Sequence, residues 1–195
     1  RALTTLKRVL TILKVLVAQL DILETMTPTE FRTFRERLES ASGFQSDQFR
    51  AFEFALGRKT RASLDRFAEG TRARAGLDKR WKAPTIWDYV IRYLAGVGYD
   101  IPADQLERDV TAPIEASEAV QAVLVKIYRE DPANADLCER LVDLDEGVQE
   151  WRYRHVKMVE RTIGMKHGTG GSAGSKYLRT TLNSPAFPDL WEIRS

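Results

Sequence analysis

The residues best suited to chemistry gather near the end of the chain. The stretch "RHVKMVERTIGMKHGTGGSAGSKYL", Arg154 to Leu178, holds both histidines, His155 and His167, and then a glycine-rich run. Three chemistries compete for it: a phosphate loop, a metal site, or a helix that ends in a flexible turn. A phosphate loop needs the pattern G-x-x-x-x-G-K-[ST] directly after a strand. Here five residues separate Gly168 from Gly174, Ser175 stands before Lys176, and no strand pattern precedes the run. A zinc site of the usual kind is excluded too, because Cys138 is the single cysteine and paired histidine spacings are missing. Leu137, Leu141, Leu144, Val148, Trp151, His155, Met158 and Thr162 recur every three or four residues, which puts His155 on the apolar stripe of a long helix. Two readings stay open: a core histidine bonded to a neighbour, or a neutral imidazole that binds iron. Haem suits a lone histidine, since the porphyrin supplies four nitrogens and the protein needs to add only one ligand on that side. The glycine run is either a plain linker or a mobile lid in which Thr169 and freed backbone N–H groups close over a polar ligand.

A second constellation lies in "FRTFRERLESASGFQSDQFR", which carries Arg32, Arg35, Arg37 and Arg50. Phe31, Phe34 and Leu38 share one helix face, and Arg35 follows Phe31 by one turn. An aromatic ring beside a guanidinium can hold an aromatic amino acid, ring against ring and carboxylate in the arginine fork. The plainer reading is a solvated arginine packing its stem on phenylalanine.

The elements that must position these groups are helices. Leu3, Leu6, Leu10, Leu13, Leu16, Leu20 and Leu23 predict an amphipathic helix of about six turns. Thr27, Pro28 and Glu30 supply the cap, first-turn proline and capping box of a second helix that ends at Gly43. "SDQFRAFEFALG" predicts a third, stopped by Gly57. Residues 58–82 are basic and poor in large apolar groups, which predicts a short helix with exposed connections. Thr85 leads the next helix, a loop with Pro102 and Pro113 follows, and Ser117 opens a helix to about Arg129. Pro132 begins the longest element, which reaches about Gly164. No segment alternates as a strand would, so the expected fold is all-α, a bundle with long helices.

Composition bounds the function classes. The chain has 195 residues, 43% of them hydrophobic and 30% charged, which predicts one globular domain over 1–195. A net charge of +2 gives little drive towards nucleic acid, and Asp65, Glu69 and Asp78 dilute the basic run, so no nucleic-acid partner is expected. The most apolar stretch, "VLTILKVLVAQLDIL", is interrupted by Lys14, Gln19 and Asp21, so no membrane partner is expected either. The lone cysteine fits a reducing cytoplasm. The sequence opens at Arg1 inside a helical pattern, which reads as the remainder of a longer protein.

Two long blocks, "ILETMTPTEFRTFRERLESASGFQSDQFR" and "WRYRHVKMVERTIGMKHGTGGSAGSKYL", together with the closing "FPDLWEIRS", resemble the tryptophan 2,3-dioxygenase family. The resemblance covers nearly the whole sequence and is weakest between Arg58 and Ile114. It implies an all-helical, haem-dependent enzyme, usually a homotetramer, with haem b as cofactor and L-tryptophan and O₂ as substrates. Such an enzyme inserts both oxygen atoms across the indole C2–C3 bond and yields N-formylkynurenine. Carried over by position, His155 resembles the axial iron ligand and Arg35 the carboxylate-binding arginine. Phe31 stands where the family has an aromatic neighbour to that arginine. Ser42 and Gly43 match the turn at the haem edge, and Thr169 matches the loop threonine at the substrate's amino-acid end. The family's distal histidine and several indole contacts lie on helices before the point where this sequence begins, so no catalytic residue is identified within it. His167 does not take that place. Two other readings share the same residues. One is a haem oxygenase of secondary metabolism that oxygenates tryptophan or a substituted tryptophan without full ring cleavage. The other is a haem-binding sensor or carrier without catalysis.

Overall fold

The structure is a computed structural model that describes residues 1–38, 43–164, 175–182 and 184–194, with the side chains of Phe44, Lys176 and Tyr177 excepted. Helices account for every regular element among the described residues: α1 (Ala2–Glu24), α2 (Pro28–Arg35), α3 (Asp47–Ala55), α4 (Arg61–Leu64), α5 (Arg72–Trp81), α6 (Ile86–Gly96), α7 (Ala103–Leu106), α8 (Glu118–Glu130), α9 (Pro132–Ile163), α10 (Ser175–Arg179) and α11 (Pro188–Glu192). The chain forms two compact units, Arg1–Ser42 with Leu137–Pro185, and Gly43–Asp136 with Ala186–Ser195.

The first unit is built on α1, α2, most of α9, and α10. Leu13 and Leu20 of α1 are buried, as are Cys138, Leu141, Leu144, Val148 and Val156 of α9. The two helices touch where α9 has no side chain: a Cβ on Gly147 would stand 2.7 Å from Leu13 Cδ2. Farther along, Arg154 donates to both Asp21 and Glu24 of α1. Both contacts advance by about two turns on both helices, so α1 and α9 run parallel. The leucine stripe of α1 is only partly buried, with Leu16 and Leu23 exposed. At 3.6 residues per turn these two lie about 60–80° around the helix from Leu13, on the flank of the buried line. The second helix also departs from expectation. Its α-helical part stops at Arg35, a 3₁₀ turn covers Glu36–Leu38, and Leu38 is exposed instead of sharing a face with Phe31 and Phe34.

The second unit holds the other helices. Its basic stretch, read from sequence as a short helix with exposed connections, forms two helices, α4 and α5, and contributes core. Leu64, Phe67 and Leu77 pack with Phe54, and Ala51, Ala73 and Trp81 close around them. The charges of this stretch stay satisfied at the edge: Arg74 pairs with Asp78 at 3.1 Å and donates to the Phe67 carbonyl. Lys59 is only 5% exposed, and its three ammonium protons meet three carbonyls, Trp81 and Val110 at 2.8 and 2.7 Å and Ala83 at 2.7 Å. Burial pulls its pKa down from 10.5 to about 8. At the start of α6, Asp88 accepts from the Thr85 backbone at 2.6 Å and from Arg108 Nε at 2.6 Å. Burial pushes that carboxyl up, but the Arg108 and Thr85 hydrogen bonds outweigh it and hold it below the carboxylate norm. Gly57 has φ +89°, which its backbone adopts without strain, and a Cβ there would also crowd Ile114 Cδ1, which would have to shift. Arg50, one of the four arginines of the "FRTF…QFR" stretch, belongs to α3, where it is buried and paired with Glu53.

Candidate functional site

The site begins with α2. Thr27 caps it: its hydroxyl accepts from Glu30 N at 3.2 Å, and Glu30 accepts from Thr27 N at 2.7 Å. Pro28 occupies the first turn. This reciprocal box satisfies two otherwise orphaned donors and fixes where the helix starts. It thereby sets which residues share a face. Phe31 and Phe34 meet edge to face, with centroids 5.1 Å apart and planes at 82°. Both rings and Arg35 are half-buried.

The other wall comes from the last turn of α9. Gly164, with φ +63°, ends that helix in the left-handed conformation that glycine adopts without strain. Its N–H still closes onto the Glu160 carbonyl at 2.9 Å. A cavity of about 310 Å³ opens between the two helices, lined by Phe31, Arg32 and Arg35 of α2 and by Glu160, Arg161 and Ile163 of α9, with Pro28, Thr162 and Gly164 completing the wall. That volume suits a small organic ligand. Its lining residues include a phenylalanine, an isoleucine, three arginines and one glutamate, and the pairing of Phe31 with Arg35 is complementary to an aromatic carboxylate. Glu160 is tied in turn by Arg179 of α10 at 2.6 Å and Lys157 at 3.1 Å, and these pairs hold its carboxyl below the ordinary glutamate range.

His155 lies two turns back along α9. Its ring stacks on Trp151, with centroids 5.2 Å apart and planes within 8°. It is half-buried, and burial lowers its pKa from 6.5, so the imidazole is neutral at neutral pH. The neutral ring has a lone pair available, which is the state an iron ligand requires. No cluster of three or more metal-ligating side chains occurs among the described residues.

Of the sequence-derived site residues, Phe31 and Arg35 share the cavity, and His155 lies on the helix that forms its other wall. Gly43 begins a 3₁₀ turn, Gly43–Gln45, and belongs to the other compact unit. Ser42, Thr169 and His167, with the whole run 165–174, lie outside the described residues. Sequence reasoning missed Arg32, Glu160, Arg161 and Ile163 as cavity residues. The available signal was positional: Glu160 to Ile163 form the final turn before the Gly164 stop.

The sequence model of tryptophan 2,3-dioxygenase matches residues 1–80 and 75–195. A tryptophan 2,3-dioxygenase of Herpetosiphon aurantiacus is 56% identical over 195 residues, covering 100% of this chain and 74% of the relative. One from Anaeromyxobacter sp. strain K is 58% identical over 193 residues, covering 99% of this chain and 72% of the relative. A third, from Kineococcus radiotolerans, is 45% identical over 197 residues, with 100% and 69% covered. With matches of this extent and identity, and an all-helical chain whose cavity pairs an aromatic ring with a guanidinium, the protein belongs to the tryptophan 2,3-dioxygenase family.

Proposed function

We propose that this protein is a haem-dependent oxidoreductase that cleaves the indole C2–C3 bond of L-tryptophan with O₂ and forms N-formylkynurenine. Family membership supports the reaction class, and the Phe31–Arg35 cavity is the observation that carries the substrate reading. Bound through His155, haem b would supply the iron chemistry that activates O₂. The remaining work falls to this chain's side chains. Trp151 stacks flat on His155 and limits the rotation of the imidazole. Partial burial of that ring disfavours its protonated form. Arg35 takes the substrate carboxylate in its fork, and Phe31 packs against the substrate, so the amino-acid end and the ring are held together. Burying this charge pair contributes orientation more than affinity. Ser42 and Gly43 are assigned to the haem edge and Thr169 to the substrate's amino-acid end on the family pattern alone.

The assembly is proposed to be a homotetramer in the cytoplasm, with all of residues 1–195 in one functional domain. Ile12, Val15 and Ile22 on α1, Tyr89 and Tyr93 on α6, and Val97 just after it are exposed and support self-association. No helix among the described residues is long and apolar enough to cross a membrane. The test is an absorption spectrum of the purified full-length protein with and without L-tryptophan, followed by product mass. A haem band that responds to tryptophan, and a product with both oxygen atoms, are expected. A product with one added oxygen would move the protein to the monooxygenase reading. A spectrum indifferent to tryptophan would move it to the sensor or carrier reading.

A further inference from the structure

The last helix, α11, has five residues, too few to be stable alone, so its seat on α8 holds it in shape. Ala186, Phe187 and Leu190 are buried, and the Phe187 ring lies 5.8 Å from that of Trp87 on α6, centroid to centroid. Two polar side chains reach opposite ends of α8. Arg194 donates to the Tyr128 hydroxyl at 2.9 Å. Where α8 begins, Asp189 Oδ1 accepts from Ser117 N at 2.7 Å and from Gln121 Nε2 at 3.1 Å. Asp189 is 0% exposed, and its Oδ2 has no hydrogen-bond donor among the described residues. We propose that Asp189 is a proton-operated clasp: a neutral carboxyl keeps α11 seated on α8, and ionisation loosens that seat.

The two oxygens of one carboxyl have unequal surroundings. An ionised carboxylate spreads its charge over both and accepts at each. Here Oδ1 has two donors, so ionisation would leave charge on a buried Oδ2 that nothing stabilises, a costly state. A proton on Oδ2 removes the charge and leaves both Oδ1 bonds in place. The charged groups on the neighbouring elements do not offset it. Glu192 of α11 adds a like charge. Glu115 before α8 and Glu118 in its first turn are acidic and exposed, while Lys126 and Arg129 stand exposed towards its other end. On α6, Asp88 is committed to Arg108 and Arg92 is exposed. The start of α8 favours an anion, as do both bonds to Oδ1, yet burial outweighs them and holds the carboxyl above the ordinary aspartate range. The freed side chain has the ordinary pKa of 3.8. From there up to the raised folded value, opening of α11 releases a proton and becomes about tenfold easier per pH unit, then levels off. Asp88, Asp131 and Glu160 are held low, so their stabilisation is lost on acidification and gives the opposite slope.

The test is hydrogen exchange of the amides of residues 186–194 in the full-length haem-loaded protein, read by mass spectrometry from about pH 4 to pH 8. Each rate is divided by the intrinsic chemical rate at that pH, which leaves the opening constant of the segment. The proteins are wild type and Asp189→Asn, which keeps an oxygen for Ser117 and Gln121 but carries no charge at any pH. The wild-type opening constant is expected to rise with pH by about tenfold per unit before it levels, and that of Asp189→Asn to stay within about twofold. A wild-type constant that is flat, or that falls as pH rises, would overturn the proposal. An equal rise in both proteins would overturn it too, because the titrating group would then lie elsewhere. Should Asp189→Asn not fold, the wild-type slope decides alone, since the carboxylates held low act with the opposite sign.

Discussion

Replacing Lys59 by methionine keeps the aliphatic stem and removes the ammonium. The loss can be worked from the structure. Lys59 Nζ donates to the carbonyls of Trp81, Ala83 and Val110 at 2.7–2.8 Å, all in a site only 5% exposed. Each buried carbonyl left without a donor costs about 1–3 kcal/mol. Against this, the variant no longer holds a charge out of water. A pKa lowered from 10.5 to about 8 corresponds to about 3 kcal/mol of that burden. Three carbonyls at that cost give about 3–9 kcal/mol, so Lys59→Met should show a net loss of about 0–6 kcal/mol at neutral pH, centred on ~3. Urea unfolding followed by tryptophan fluorescence measures it, with the shift in midpoint read at constant slope. The pH dependence gives a sharper check. The folded form sheds the Lys59 proton near pH 8, while the unfolded chain keeps it to about 10.5. Between those values the unfolded state binds more protons, so wild-type stability rises with pH through that window relative to the variant. The deficit of Lys59→Met should grow accordingly. A net gain in stability would mean that the three carbonyls find other donors. A deficit that shrinks from pH 8 to 10 would mean that the site favours the ammonium over the amine.

Other outcomes follow from the sites described. His155→Ala should lose most haem while keeping its helical circular dichroism, and a normal haem spectrum in the variant would refute the ligand assignment. Arg35→Ala should leave haem content near that of wild type and weaken tryptophan by about 2–5 kcal/mol, read as kcat/KM at low substrate. Unchanged turnover there would place the carboxylate elsewhere. Gly57→Ala should lose about 1–3 kcal/mol in thermal or urea unfolding, because φ +89° disfavours a Cβ and Ile114 Cδ1 crowds the place where it would stand. A neutral result would show that the 57 turn and Ile114 relax freely.

Much of the helical framework was legible because its signals are short-range. Thr27 with Glu30 and Thr85 with Asp88 close their boxes across three residues, and Ser46 and Ser117 cap in the same way. Such a bond depends only on the local chain, so four residues of sequence suffice to predict it. The same holds for the Gly57 and Gly164 stops, which the backbone itself requires. The long helix from Pro132 and the apolar stripe through His155 follow from a period of 3.6 residues. The roles proposed for His155, Arg35 and Thr169 rest on the match of two long blocks to a family, since spacing alone favoured a core histidine and a solvated arginine. What escaped the sequence is set by contacts across long separations. Lys59 reads as one more surface cation in a basic run, yet its partners lie 22, 24 and 51 residues away and bury it. Leu64, Phe67 and Leu77 are too sparse to show a period, and only folding onto Phe54 makes them a core. Glu160 has no distinguishing neighbours in sequence. It joins the cavity wall only because the end of α9 meets α2 in the folded chain. Local hydrogen bonds are encoded where they form, whereas a pocket needs two distant helix ends at one place in space, and that juxtaposition exists only in the folded chain.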